Sequence, residues 1–117
     1  MAAPNIVNVA TITGKTTGTA ITTSGNNVAS NSSSSGKVFK VNALYVSNID
    51  GTNDANIDVD VVISGTAYSI ASTVGVPADA TLDVLSKPIY LEENQSLKLT
   101  ASANGDIEAV CSYEEIS

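Results

Sequence analysis

Two pairs of carboxylates are the residues of this sequence best suited to acid–base chemistry. Asp58 and Asp60 stand two positions apart, and Glu92 and Glu93 are adjacent. Two carboxyl groups across a groove can hydrolyse a glycosidic bond, one as acid and the other as base or nucleophile. However, the aspartates alternate with apolar residues, as on the wet face of a strand, and the glutamates lie in a polar turn. We therefore expect both pairs to be solvated rather than catalytic.

The segment 50–58 carries the hard oxygen ligands that Ca²⁺ prefers. Its three aspartates, Asp50, Asp54 and Asp58, are accompanied by two asparagines. The spacing departs from that of an EF-hand loop and lacks the closing bidentate glutamate. We interpret the segment as a turn whose side chains bond their own backbone, with a calcium site as the lesser alternative.

The single cysteine, Cys111, cannot form an intramolecular disulfide. It alternates with Ala109 and Tyr113 in a run typical of the buried side of a strand. A reactive thiolate would need a neighbouring His, Arg or helix terminus to lower its pKa. We expect Cys111 to be a small core residue.

Several common catalytic and binding groups are missing, because the sequence has no histidine, arginine or tryptophan. Histidine is the usual general base and zinc ligand, and arginine is the usual clamp for phosphate and carboxylate. Gly14-Lys15-Thr16 echoes the end of a phosphate-binding loop but lacks its earlier glycine. We expect a protein that is not an enzyme and holds no cofactor.

The charge balance is acidic, with 12 acidic residues against five lysines and a net charge of -7. Binding to nucleic acid depends on Lys and Arg that neutralise phosphates, so nucleic acid is not an expected partner. The sequence has no apolar run of about 18 residues, which a membrane-spanning helix requires, and no N-terminal secretion signal. We expect a protein made and kept in the cytoplasm, without a membrane partner.

Short apolar–polar alternations separated by turn-forming residues occur along the whole chain, with no long helical period. A length of 117 residues fits one domain. We predict one antiparallel two-sheet β-sandwich over residues 1–117, of the jelly-roll or Ig-like type, with about eight to ten short strands. The clearest strand covers residues 37–48, where a change of phase near Leu44 indicates a bulge.

The expected arrangement of the strands follows from the turn signals. The segment 37–48 is predicted to form a hairpin with 57–62, which 67–74 extends to a three-stranded meander. Asn104-Gly105-Asp106 is predicted to be a hairpin turn as well.

The first 35 residues have a different character, rich in serine and threonine. Two short strands are predicted between Asn5 and Thr23, with breaks at Gly14 and Gly18. The serine run 30–36 is predicted to be a flexible surface loop. Residues 1–35 would thus form an extended N-terminal arm and a Ser/Gly-rich loop on the domain.

Several segments in the remainder of the chain look familiar together: Ser35–Asn42, Tyr45–Gly51, Val76–Ala80, Ile89–Ser96 and Ser112–Ile116. They resemble small virion structural proteins of tailed phages, especially marine and cyanobacterial ones. The likeness extends from about Ser35 to Ser117 and is weaker before the serine run.

This resemblance implies a non-enzymatic protein that coats or joins parts of the particle in many copies. We expect a decoration or cement protein on the outer capsid, bound to the major capsid protein or other virion proteins. A neck, tail or fibre-attachment component is the alternative, and a module that binds sugars on the host surface is a third hypothesis. The acidic composition agrees with a position on the outside, away from packaged DNA.

The same reasoning gives expectations for assembly. A homo-oligomer is expected, and a trimer by analogy with the three-fold positions of icosahedral shells. The N-terminal arm would order on binding and provide the interface. The candidate interface residues are Ile6, Val7, Val9 and Ile12.

Overall fold

A computed structural model describes residues 9–117, which form two antiparallel β-sheets packed face to face. These residues contain no helix, and so none that is long and apolar enough to cross a membrane. The strands in chain order are β1 (Ile12–Ile21), β2 (Asn26–Asn31), β3 (Val38–Asn48), β4 (Ala55–Ile63), β5 (Thr66–Val76), β6 (Thr81–Asp83), β7 (Ile89–Leu91), β8 (Gln95–Ala101) and β9 (Ile107–Ile116).

The order of the strands is that of a jelly roll. Sheet A has the order β1-β9-β3, and both β6 and β7 pair with β3, at different stretches. Sheet B has the order β2-β8-β4-β5. Among the described strands, only the connections β4–β5 and β6–β7 stay within one sheet. With β6 and β7 counted as one interrupted strand, two four-stranded sheets are wound from a single ribbon, as in jelly rolls. The predicted β-sandwich is confirmed.

The core lies between the two sheets and is built from alternate residues of the central strands. Leu97 and Leu99 of β8 are completely buried, as are Val59 of β4 and Cys111 of β9. Burial of an aliphatic side chain of this size stabilises the fold by about 1.5–3 kcal/mol. The predicted burial of the alternating residues in β9 is confirmed.

A bulge in β3 reverses the alternation, as the sequence indicates. Val41 and Leu44 are both completely buried although they stand three positions apart. The pairing of β3 with β9 shifts register between Val41 and Ala43, and Asn42 is exposed. The bulge therefore lies two residues before Leu44.

The predicted hairpin of residues 37–48 with 57–62 is wrong. β3 belongs to sheet A and β4 to sheet B, so the turn-rich segment 50–54 crosses the sandwich. Turn-forming residues indicate a reversal of direction but do not show whether the next strand pairs in the same sheet. The turn at Gly105 likewise joins β8 of one sheet to β9 of the other. The pairing of β4 with β5 is confirmed.

The N-terminal region contains one long strand where breaks were expected. β1 passes through Gly14 and Gly18, and neither glycine has a positive φ angle. The predicted breaks are therefore wrong. The sequence also failed to indicate β2, a polar strand that takes in the start of the serine run. Of residues 1–35, 12–21 and 26–31 are thus strands of the sandwich.

Two buried asparagines hold the ends of strands in place. The Nδ2 group of Asn31, at the end of β2, donates to the carbonyl oxygens of Lys37 and Leu91 at 2.8 and 3.1 Å. The Nδ2 group of Asn48, at the end of β3, donates to Asn53 and Val76 at 2.9 and 3.0 Å. Because both amides are paired, their burial costs little.

Candidate functional site

The carboxylates of Asp58 and Asp60 are used within sheet B. Both side chains lie on the outer face of β4, half-buried. Oδ1 of Asp58 accepts a hydrogen bond of 2.6 Å from the backbone N–H of Thr73. Oδ1 of Asp60 accepts one of 3.0 Å from the hydroxyl of Ser69. Each carboxylate therefore fastens β5 to β4, and the two do not face each other across a groove.

The second acidic pair has a similar local role. Oε2 of Glu93 accepts a hydrogen bond of 3.0 Å from the backbone N–H of Gly36. The side chain of Glu92 is exposed, and its Oε2 lies 3.4 Å from Nε2 of Gln95. Glu93 thus ties the turn before β8 to the loop before β3.

The three calcium candidates cap backbone amides in separate places. Oδ1 of Asp50 accepts from the N–H groups of Thr52 and Asn53 at 2.8 and 3.3 Å. These bonds favour the charged form and hold the pKa of Asp50 below its usual range. Oδ1 of Asp54 accepts from the N–H of Ala78 at 3.0 Å, while Asp58 serves β5. Residues 9–117 contain no cluster of three or more acidic, Cys or His side chains suited to a metal.

Cys111 lies in the core, as predicted. Its side chain is completely buried, and burial raises the pKa of its thiol to about 11. The thiol is therefore protonated at neutral pH, and nothing in its surroundings activates it.

Gly14-Lys15-Thr16 lies inside β1 and not at the start of a helix. Nζ of Lys15 is 3.6 Å from a carboxylate oxygen of Glu115, and Nζ of Lys37 is 3.0 Å from the other. The positive charge of Lys15 is thus partly balanced within the chain. A phosphate-binding loop is excluded here because its amides would need a helix N-terminus to converge on the anion.

The outer face of sheet A carries an apolar surface. Tyr45 and Val110 are paired neighbours in β3 and β9, and each is 44% exposed. The residue paired with Val110 on its other side is Gly18 of β1, which has open space above its Cα. A shallow depression of about 240 Å³ lies over the β1–β9 pair at this point. Its lining residues are Gly18, Thr19, Ala20, Glu108, Ala109 and Val110.

A second apolar surface lies at the end of the β4–β5 hairpin. Ile63 of β4 and Tyr68 and Ile70 of β5 are all exposed, Tyr68 to 57%. The sequence did indicate apolar residues in these strands but not their exposure.

The candidate interface residues are only partly within the described region. Ile6 and Val7 lie outside it. Val9 is half-buried, and Ile12, the first residue of β1, is 56% exposed. Sequence reasoning did not select Tyr45 or Val110. Their positions could have been inferred only with knowledge of the bulge in β3 and of the face that β9 buries.

No protein-family model matches the chain, and no match was found among the curated proteins.

Proposed function

We propose that this domain is a structural component of a tailed-phage virion, a decoration or cement protein that binds the outer surface of the capsid. Its partners would be the major capsid protein or neighbouring virion proteins. The proposal begins from the resemblance of residues 35–117 to small virion proteins and is supported by the surface of the sandwich.

The observation that carries the proposal is the apolar surface on the outer face of sheet A. Tyr45 and Val110 are large side chains on rigid, fully paired strands, and no described residue covers them. Apolar and aromatic side chains that are exposed together on a soluble domain often mark a contact with another protein. A preformed face of this kind can bind a partner without the entropic cost of ordering a segment of the chain.

The charge of the domain supports a position on the outer surface of the capsid rather than on its inner surface. The net charge is -7, and two of the five lysines, Lys15 and Lys37, lie against the carboxylate of Glu115. Packaged DNA would repel such a domain, whereas on the outer surface this repulsion has little effect.

The fold supports the proposal only by analogy. Jelly rolls occur in viral capsid proteins, but they also occur in lectins and enzymes. The shared fold is therefore compatible with the proposed role and does not select it.

A binding experiment with purified particles tests the proposal. The protein is mixed with capsids that lack it and, separately, with isolated tails, and the sedimented material is imaged by electron cryo-microscopy. We expect regularly spaced density on the capsid surface. Density only at the neck or tail would replace decoration with the neck or tail role, and binding to neither would contradict a virion role.

Two variants identify the face that binds. Val110→Asp places a charge on the outer face of sheet A and should abolish co-sedimentation with capsids. Tyr68→Asp places the same charge on an exposed residue of the β4–β5 hairpin and should leave binding intact. Loss of binding in the second variant alone would show that the proposed face is the wrong one.

A further inference from the structure

Among the described residues, β1 is an edge strand whose backbone is open to an additional strand. It pairs with β9 on one side, and residues 9–117 contain no strand on its other side. Thr11 and Ser117 exchange two backbone hydrogen bonds of 2.9 and 3.0 Å, and the β1–β9 register continues from them without a shift.

This register fixes which backbone groups of β1 are free. In antiparallel pairs, alternate residues direct both N–H and C=O toward the partner, and the residues between them direct both groups away. The odd-numbered residues from Thr11 onward bond to β9. The even-numbered residues therefore present their N–H and C=O groups at the open edge, and all five are exposed: Ile12, Gly14, Thr16, Gly18 and Ala20.

β1 has few of the features that prevent edge strands from pairing. Natural edges are protected by bulges, prolines, short length or charged side chains. β1 has ten residues in continuous register with β9, no proline, and Lys15 as its single charge. Lys15 is an odd-numbered residue whose charge Glu115 partly balances.

We propose that β1 pairs antiparallel with β1 of a second copy of this chain, about a two-fold axis at Thr16. The sequence of the strand is nearly symmetric about that residue. Gly14 and Gly18 lie at equal distances on either side of it, and so do Thr13 and Thr19. In this register every free backbone group of the even-numbered residues meets one from the other copy.

The side chains on the outer face are also complementary in this register. Ile12 of one copy comes to lie beside Ala20 of the other, with Gly18 diagonal to it. Gly18 and Ala20 line the depression of about 240 Å³ on the outer face. The exposed Ile12 side chain thus enters a space that Gly18 leaves open, and the two-fold axis repeats this contact.

Charge favours this edge for contact between copies. Each copy carries -7, so two copies repel each other over most of their surface. β1 has no acidic residue, which keeps the repulsion at the contact small. Because salt screens this repulsion, we expect association to strengthen as the salt concentration rises.

This inference does not depend on the proposed virion role, since it involves only the chain itself. The symmetry is two-fold, in contrast to the trimer expected by analogy. A dimer would present two outer faces of sheet A side by side in one continuous sheet.

Sedimentation equilibrium from about 1 µM to about 1 mM covers weak to moderate affinities. We expect a monomer–dimer equilibrium. Thr16→Pro removes a free N–H at the two-fold axis and should raise the dimer Kd at least about ten-fold. Thr17→Pro is the matched control, because it removes an N–H bonded to β9 and should destabilise the monomer itself.

Ile12→Asp tests the side-chain contact, with Ile49→Asp as its control at a residue that is exposed to a similar extent, 52%. The first should raise the dimer Kd at least about ten-fold, and the second should not change it. A monomer at all concentrations, a trimer, or a dimer that Thr16→Pro and Ile12→Asp leave unchanged would overturn the proposal.

Discussion

β1 and β5 are long edge strands, one in each sheet, and they differ in how open their edges are. They have 10 and 11 residues, and most residues of both are exposed. β1 pairs with β9 in one continuous register, whereas the pairing of β5 with β4 shifts register twice. Length and exposure alone therefore do not distinguish an open edge from a protected one.

The irregularity of β5 has identifiable causes. Thr73 has a φ angle of 52°, in the left-handed region that β-branched residues rarely adopt. The carboxylate of Asp58 bonds to the N–H of the same residue and holds it in this conformation. A bulged edge with acidic side chains beside it is a poor template for an additional strand. β1 has neither feature, and we infer from this that β1, rather than β5, is the edge available to a partner.

The largest expected effect is a difference in stability between substitutions at the two ends of β1. Ile21 is buried in the core, while Ile12 is on the open end. We expect Ile21→Ala to lower the free energy of unfolding by about 2–5 kcal/mol, and Ile12→Ala to change it by no more than about 0.5 kcal/mol. Urea denaturation of the dilute protein measures both. Similar losses in the two variants would show that the open end is needed for folding.

A second prediction concerns Cys111, which is paired with Thr17 of β1. Burial raises the pKa of its thiol from 9.0 to about 11. The folded state thus favours the protonated thiol, and this contribution is complete below pH 9 and is lost as the pH rises toward 11. The loss should reach about 2–3 kcal/mol.

Unfolding measured between pH 8 and pH 11 tests this prediction, with Cys111→Ala as the control that lacks the thiol. As the pH rises toward 11, the free energy of unfolding of the wild type should fall relative to that of Cys111→Ala. Parallel curves would contradict the proposed burial of the thiol beneath the β1–β9 pair.

A third prediction concerns the buried end of β5. Asn48 donates to the carbonyl oxygen of Val76, the last residue of that strand. Asn48→Ala removes this buried donor and its second hydrogen bond, to the carbonyl oxygen of Asn53, and should cost about 2 kcal/mol. Asn42→Ala removes an exposed amide from β3, the strand that also contains Asn48, and should have little effect on stability. Equal effects on the melting temperature would show that β5 is not anchored by Asn48.

The smallest expected effect has the opposite sign. Thr73→Gly relieves the left-handed strain and keeps the N–H that Asp58 binds, so it should stabilise the protein by about 0.5–1 kcal/mol. Ser72→Gly, at a neighbour without a positive φ angle, should destabilise it by a similar amount. Chemical denaturation compares the two, and destabilisation by both would mean that Thr73 is not strained.

The sequence predicted the strands whose one face is buried, because their alternation is a direct consequence of the sandwich. β9 is one example, and β3 is another, in which the reversal of the alternation also indicated the bulge. It failed for β2, whose residues are mostly polar although Asn31 and Val28 are buried. It also placed β3 and β4 in one sheet, because turn residues carry no information about which sheet the next strand joins.

The surface features could not be predicted in the same way. The alternation in β1 is weak, so neither its face nor its free backbone groups can be read before its register with β9 is known. The interpretation of segment 50–58 as a turn that bonds its own backbone fits Asp50, whose partners are Thr52 and Asn53. It does not fit Asp54 and Asp58, whose partners, Ala78 and Thr73, are distant in sequence.

Amide hydrogen exchange of β1, followed by NMR at low and at high protein concentration, tests the open edge most directly. We expect slow exchange at Lys15 and Thr17 under both conditions. At Gly14, Thr16 and Gly18 we expect fast exchange in the dilute protein and protection in the concentrated one, with no such change in β5. Exchange at these three amides that does not depend on concentration, or new protection in β5 instead, would contradict pairing at the β1 edge.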